Sequence, residues 1–200
     1  MRSIKMLEEV FNSEINTIND VKNSINNSYE QCVTEILNCK GRIIFLGVGK
    51  SGHICKKIAA TFASTGTPSF FVHSTEAVHG DLGMICEEDI VFAISHSVET
   101  EEVLNVLPSI NAIGAKIFAI TKSKKSTLGR NASIVIEIPI KKEADKYNLA
   151  PTNSSTATLV IGDAIALTVS QMKGFSKQSF GKYHPGGALG KELQKDGVIK

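Results

Sequence analysis

Five short runs, RIIFLG, SFFVH, DIVFAIS, KIFAIT and SIVIEI, are spread between residues 42 and 138. Each is rich in β-branched or aromatic residues and has almost no polar interruption. A strand with one face in water alternates apolar and polar positions, whereas near-continuous apolarity requires burial on both faces. The intervening stretches are long enough to hold helices. This pattern predicts α/β architecture: a five-stranded parallel sheet between two layers of helices, a three-layer α/β/α sandwich with right-handed crossovers. After the last run, residues 152–173 read as a long helix, with Thr152, Asn153 or Ser154 available as N-cap and Gly174 ending it. The tail FSKQSFGKYHPGGALGKEL carries enough turn-forming residues to be expected as irregular.

Residues 1–40 are polar, with apolar positions at Ile4, Leu7, Phe11, Ile18, Val21, Ile25 and Cys32, mostly three or four apart. That is the spacing of a helix stripe, which packs either on the chain's own core or on a partner subunit. Residues 38–41 end it.

The composition excludes several classes. A chain of 200 residues is ample for one core, and its net charge of +2 comes from scattered basic residues without a Lys/Arg stripe, so no nucleic-acid surface is expected. The four cysteines, Cys32, Cys39, Cys55 and Cys86, have no Cys-x-x-Cys pairing. They read as reduced thiols of a cytoplasmic protein, with neither a disulfide frame nor a zinc site. The N-terminus has no apolar signal core, and no run approaches the ~18 apolar residues of a membrane span.

Open parallel sheets bind ligands beyond the C-terminal ends of their strands, so the residues just after each run carry the functional information. The first run is followed by GVGKSGH, Gly47 to His53. It is not a P-loop, because the first glycine of that motif would fall on Ile44. Gly47, Gly49 and Gly52 match the dinucleotide spacing, but the next strand runs through His73, Ser74 and Thr75 before any acidic residue, Glu76. What remains is a glycine turn leading into a helix N-terminus, an anion site with Lys50 adding a charge. The third run leads into SHSVETEE, where Ser95, Ser97 and Thr100 either cradle a second anionic group or simply cap a helix starting near Thr100. His73, Glu76, His79 and Asp81 fall in the loop HSTEAVHGDLGM, Glu143 follows the fifth run, and His184 sits in YHPGGALG. The crevice is expected to collect Lys50, His79, Glu102 and Glu143, an acid/base set beside an anion site.

The segments GVGKSGHICKKIAATFASTGTPSFFVH, EAVHGDLGM, LAPTNSSTATLVIGDA and HPGGALGKEL, in this order from Gly47 to Leu193, resemble the SIS (sugar isomerase) domain family and its arabinose-5-phosphate isomerase branch. The resemblance implies a flavodoxin-like α/β/α domain over residues 41–200, a small-molecule phosphosugar ligand and no cofactor or metal. It also implies a homo-oligomer, commonly a tetramer, with active sites at subunit interfaces. By motif it assigns Lys50, His79, Glu102, Glu143 and His184 to catalysis, and Gly49, Ser51, Ser95, His96, Ser97 and Thr100 to the substrate and its phosphate.

Two departures stand out. Where the family reads Ser-Asn-Ser-Gly-Glu in the third loop, this chain has His96 and Val98 in place of the asparagine and glycine. A β-branched valine resists the positive φ open to glycine, so a different loop shape is expected. Many relatives continue into paired nucleotide-sensing CBS modules; with the chain stopping at Lys200, that regulation is expected to be absent.

The implied reaction interconverts arabinose 5-phosphate and ribulose 5-phosphate through a cis-enediol. It needs a base at carbon, proton transfer at two oxygens and stabilisation of negative charge. Glu143 or His79, with a pKa moved toward neutrality, is the expected carbon base, and His184 and Glu102 are expected to handle ring opening or hydroxyl protons. A 6-phospho-3-hexuloisomerase-like enzyme and a non-catalytic phosphosugar-binding module are the alternatives.

Overall fold

A computed structural model describes residues 2–97, 99–185 and 187–198; Val98, Gly186 and Lys200 of the preceding section lie outside the described residues. The strands are β1 (Ile43–Gly47), β2 (Ser69–His73), β3 (Ile90–Ser95), β4 (Lys116–Thr121) and β5 (Ile134–Glu137), each within or matching one apolar run. All pairings are parallel, in the order β2-β1-β3-β4-β5. The helices are α1 (Arg2–Asn23), α2 (Asn27–Asn38), α3 (Gly49–Ser64), α4 (Ser74–Ala77), α5 (Glu101–Leu104), α6 (Leu107–Ile113), α7 (Thr127–Arg130), α8 (Asn153–Met172), α9 (Lys177–Tyr183) and α10 (Ala188–Lys195).

Alternate residues of the central strands serve opposite layers. Ile43, Phe45, Ile90, Phe92 and Phe118 pack against Ile36 of α2, Ile58 and Phe62 of α3, and Ile161 and Ile165 of α8. Ile44, Leu46, Val91, Ala93 and Ile117 pack against Val103 of α5, Leu107 and Ile110 of α6, and Leu128 of α7. The two-sided burial expected from the runs is therefore realised, and the strand order reverses its direction of progression between the parallel neighbours β1 and β3. That switch point is where this topology opens a ligand crevice.

The N-terminal 40 residues form two helices rather than one stripe. The break at 24–26 is set by Asn26, whose side chain accepts the Ser28 N–H (2.9 Å) and caps α2. Val21 and Cys32 enter the core, but Ile4, Leu7, Phe11 and Ile25 are exposed. The tail also departs from expectation. Ser176 accepts the Ser179 N–H (3.2 Å) and starts α9, and α10 follows the turn after His184. Local capping outweighed the turn-rich composition. The HSTEAVHGDLGM stretch likewise holds the single turn α4 and a 3₁₀ turn at Asp81–Met84, with His79 between them.

Among the described residues the cysteines are free. Burial pushes the Cys32 thiol up to about 12 and raises Cys55 as well, so both act as packing residues. No helix among these residues is long and apolar enough to cross a membrane, and no group of three His, Cys, Asp or Glu stands where it would hold a metal ion.

Candidate active site

At the switch point, β1 turns into α3 through Gly49, whose φ of +57° is open to glycine at little cost. The Gly52 N–H bonds to the Val48 carbonyl (3.0 Å), and no side chain caps the helix. The amides before Gly52 therefore lack helical partners, and they carry the positive end of a 16-residue helix.

Beside it, β3 ends in a hydroxyl network. Ser95 Oγ donates to the Ser97 carbonyl (2.7 Å), and Thr100 Oγ1 lies 2.7 Å from Ser95 Oγ and 2.6 Å from Ser97 Oγ. Thr100 is the N-cap residue of α5, but its side chain makes no capping hydrogen bond. Of the two readings of these hydroxyls, simple capping is the one the structure corrects.

The third wall comes from the segment between β5 and α8. Glu143 is buried, and its Oε2 accepts from the Thr152 N–H (2.9 Å), the Ser154 N–H (3.1 Å) and Thr152 Oγ1 (3.3 Å). It caps the N-terminal amides of α8 from across the loop 144–151, in place of the side chain of the N-cap residue Thr152, which makes no capping hydrogen bond. The loop is tied down reciprocally: the Glu143 N–H donates to Asn148 Oδ1 (2.6 Å), the Ala144 N–H to Thr152 Oγ1 (2.9 Å), and Asn153 Nδ2 to the Lys142 carbonyl (2.9 Å). Asn153 also reaches Ser13 of α1 (2.8 Å), and Lys141 pairs with Asp20 (2.9 Å), so α1 braces the same loop.

These walls enclose a cleft of about 300 Å³ lined by Ser51, His96, Ser97, Lys122, Glu143, Asn148 and Ser154 among others. Burial acts to raise the Glu143 carboxyl, but hydrogen bonds from Ser154 and Thr152 and the nearby His96 outweigh it and hold the pKa below the ordinary carboxylate value. This corrects the expectation of a carboxyl shifted toward neutrality. Burial pushes the His96 imidazole below its usual value; Glu143 opposes this and Lys122 adds to it. His96 Nδ1 is sealed from solvent with no hydrogen-bond partner among the described residues.

The expected catalytic set is only partly assembled in one chain. Ser51, His96, Ser97 and Glu143 line the cleft, whereas Lys50, His79, Glu102 and His184 are absent from its lining. Lys50, His79 and Glu102 are exposed, and His184 is half-buried in the tail. The expectation that one crevice collects Lys50, His79, Glu102 and Glu143 is corrected: loop proximity at strand ends does not set side-chain direction. Lys122 and Asn148 were missed. Lys122 follows β4 directly, which the strand-end rule would have found; Asn148 had only its residue type, since Asn tolerates its φ of +56°.

A family model for the SIS domain matches residues 36–168. The chain belongs to the SIS domain family. Over 188 residues this SIS domain is 50% identical to an arabinose 5-phosphate isomerase of Francisella tularensis subsp. tularensis, covering 92% of this chain and 58% of the relative. It is 50% identical over 165 residues to another of Escherichia coli O6:H1, covering 82% of this chain and 50% of the relative. The chain thus spans little more than half the length of these relatives. A solved structure from E. coli CFT073, in complex with arabinose 5-phosphate, matches with a TM-score of 0.90 at 46% identity, covering 92% of this chain and 98% of that one. The sheet order and layers described above are those of the SIS fold.

Proposed function

We propose that this SIS domain interconverts arabinose 5-phosphate and ribulose 5-phosphate. The observation that carries the reading is the junction of three features in one cleft: Ser97, whose hydroxyl is networked with those of Ser95 and Thr100 behind it, Ser51 at the uncapped N-terminus of α3, and the ionised Glu143. The first two suit a phosphate, since free amides and hydroxyls donate to its oxygens and the helix end favours negative charge. The relatives named for this activity and the neighbour in complex with arabinose 5-phosphate support the same assignment.

In the reaction, a base removes the C2 proton of the open-chain aldose while O1 gains a proton, giving the cis-enediol. Return of a proton to C1 and loss of one from O2 leaves the ketose. Glu143 is our candidate for the carbon base, because it is charged without prior deprotonation and is fixed by three hydrogen bonds through Oε2. Its low pKa makes it a weak base, so oxyanion stabilisation carries the larger share of the barrier reduction, and Lys50 is the proposed cation for that role. Lys50, His79, Glu102 and His184 join the site when a second copy packs against the first. The exposed Leu7 and Phe11 of α1 belong to the surface such copies cover in a tetramer. No metal or cofactor enters these steps.

The test is incubation of the pure protein with a panel of aldose and ketose phosphates in D₂O, followed by NMR. Interconversion of the arabinose and ribulose phosphates with deuterium entering at the exchanging carbon is expected. Saturable binding of these sugars without conversion would reduce the assignment to a binding module.

A further inference from the structure

The tail of the chain holds His184 on three sides. Its Nδ1 lies 2.9 Å from the main-chain oxygen of Phe180, one helical turn earlier. The Phe180 ring stacks on the imidazole, with centroids 3.9 Å apart and planes 11° from parallel. From the other side, α10 abuts the main chain: a Cβ on Gly190 would collide with the His184 carbonyl oxygen, so only glycine allows this approach. Stacking of Phe175 on Tyr183, with planes 4° apart, steadies the two ends of α9.

A carbonyl oxygen has no proton to give, so the hydrogen of the Nδ1···O contact belongs to Nδ1. In the neutral ring the lone pair then sits on Nε2, the reverse of the tautomer that free histidine favours. We infer that Phe180 and Gly190 are positioning residues that present His184 as a pre-oriented proton acceptor through Nε2, aimed at a hydroxyl of the phosphosugar. Phe180 acts through both its ring and its carbonyl; Gly190 acts by letting α10 close on the His184 backbone. The ring is thereby ordered before the ligand arrives, so its rotational entropy is not lost in the reaction. The role of the acceptor rests on the function proposed above, whereas the tautomer is a property of the free protein.

The first measurement is therefore a long-range ¹H–¹⁵N spectrum of the full chain without ligand in alkaline buffer. The His184 signals, among the five histidines, are assigned by their loss in His184→Gln. We expect Nδ1 at the protonated position and Nε2 at the lone-pair position. An Nε2–H ring, or an averaged mixture like that of free histidine, overturns the inference. The second arm is kinetic. Phe180→Leu is expected to lower kcat about tenfold with KM within about twofold, and Phe180→Tyr to restore it. Gly190→Ala, which pushes α10 off His184, is expected to lower kcat as well. Equal losses in the leucine and tyrosine variants, or a loss confined to KM, would mean that Phe180 only supports the fold. If the wild type turns over no sugar phosphate, the proposed function fails, and the spectrum still decides the tautomer.

Discussion

Replacing Glu143 by glutamine keeps the side chain's length and an oxygen able to accept the Thr152 and Ser154 amides, but removes the charge at the N-terminus of α8. Glu143 is only 8% exposed, so solvent screens little of the loss. Charge-assisted hydrogen bonds are roughly twice as strong as neutral ones, each of which is worth about 1 kcal/mol net. Two amide bonds lose that assistance, and the helix end loses a further fraction of about 1 kcal/mol. Relief of the burial cost of the charge offsets part of this, leaving a destabilisation of about 1–2 kcal/mol, or about 2–8 °C in Tm for a chain of this size. Because the folded pKa is depressed, this stability is fully present above the unfolded carboxyl value of about 4.3 and is lost as pH falls through the lower folded value. Urea unfolding of wild type and Glu143→Gln from neutral pH down to about pH 3 reads the gap directly. It should be constant above about pH 5 and close below about pH 4. A variant as stable as wild type at neutral pH, or a gap that persists unchanged in acid, refutes the capping role. Turnover separates the second role: kcat is expected to fall on the order of 10²-fold while substrate still binds.

Ser97→Ala removes one hydroxyl of the network and should raise KM about 5- to 150-fold, equivalent to about 1–3 kcal/mol for hydrogen bonds to a charged group, with kcat little changed. A pure kcat effect would place Ser97 in the chemistry instead. For His96 the folded pKa is lowered, so the unfolded state takes up a proton first as pH falls below about 6.5, and stability falls in that window. His96→Asn should therefore gain stability relative to wild type between about pH 8 and pH 5.5, as read by chemical unfolding; an unchanging difference would contradict the burial argument. Leu7→Glu and Phe11→Glu alter side chains that are 59% and 68% exposed in a single chain, so folding should survive while the sedimentation coefficient drops. A wild type that sediments as a monomer with full activity would remove the basis for this expectation.

The sheet was legible because its cause is local. A strand buried on both faces must be apolar at nearly every position, and RIIFLG, DIVFAIS and KIFAIT meet that demand wherever they occur. The uncapped N-terminal end of α3 was legible for a similar reason, since glycines at a strand-to-helix turn expose free amides whatever surrounds them. The start of α9 was misread because one hydrogen bond to Ser176 outweighs the average preference of its neighbours. The site depended on longer reach. Glu143 lies nine residues from Thr152, and the loop between them, held by Asp145, Asn148 and Asn153, brings the carboxylate to the helix end. No period or spacing encodes that, so its lowered pKa could not be read from residue type. The directions of Lys50, His79 and Glu102 were equally hidden, because strand order places loops whereas side-chain direction depends on how each helix sits in its layer. The tautomer of His184 was decided by a single contact, a carbonyl four residues back in the chain that accepts only because α9 closes a turn beneath the ring.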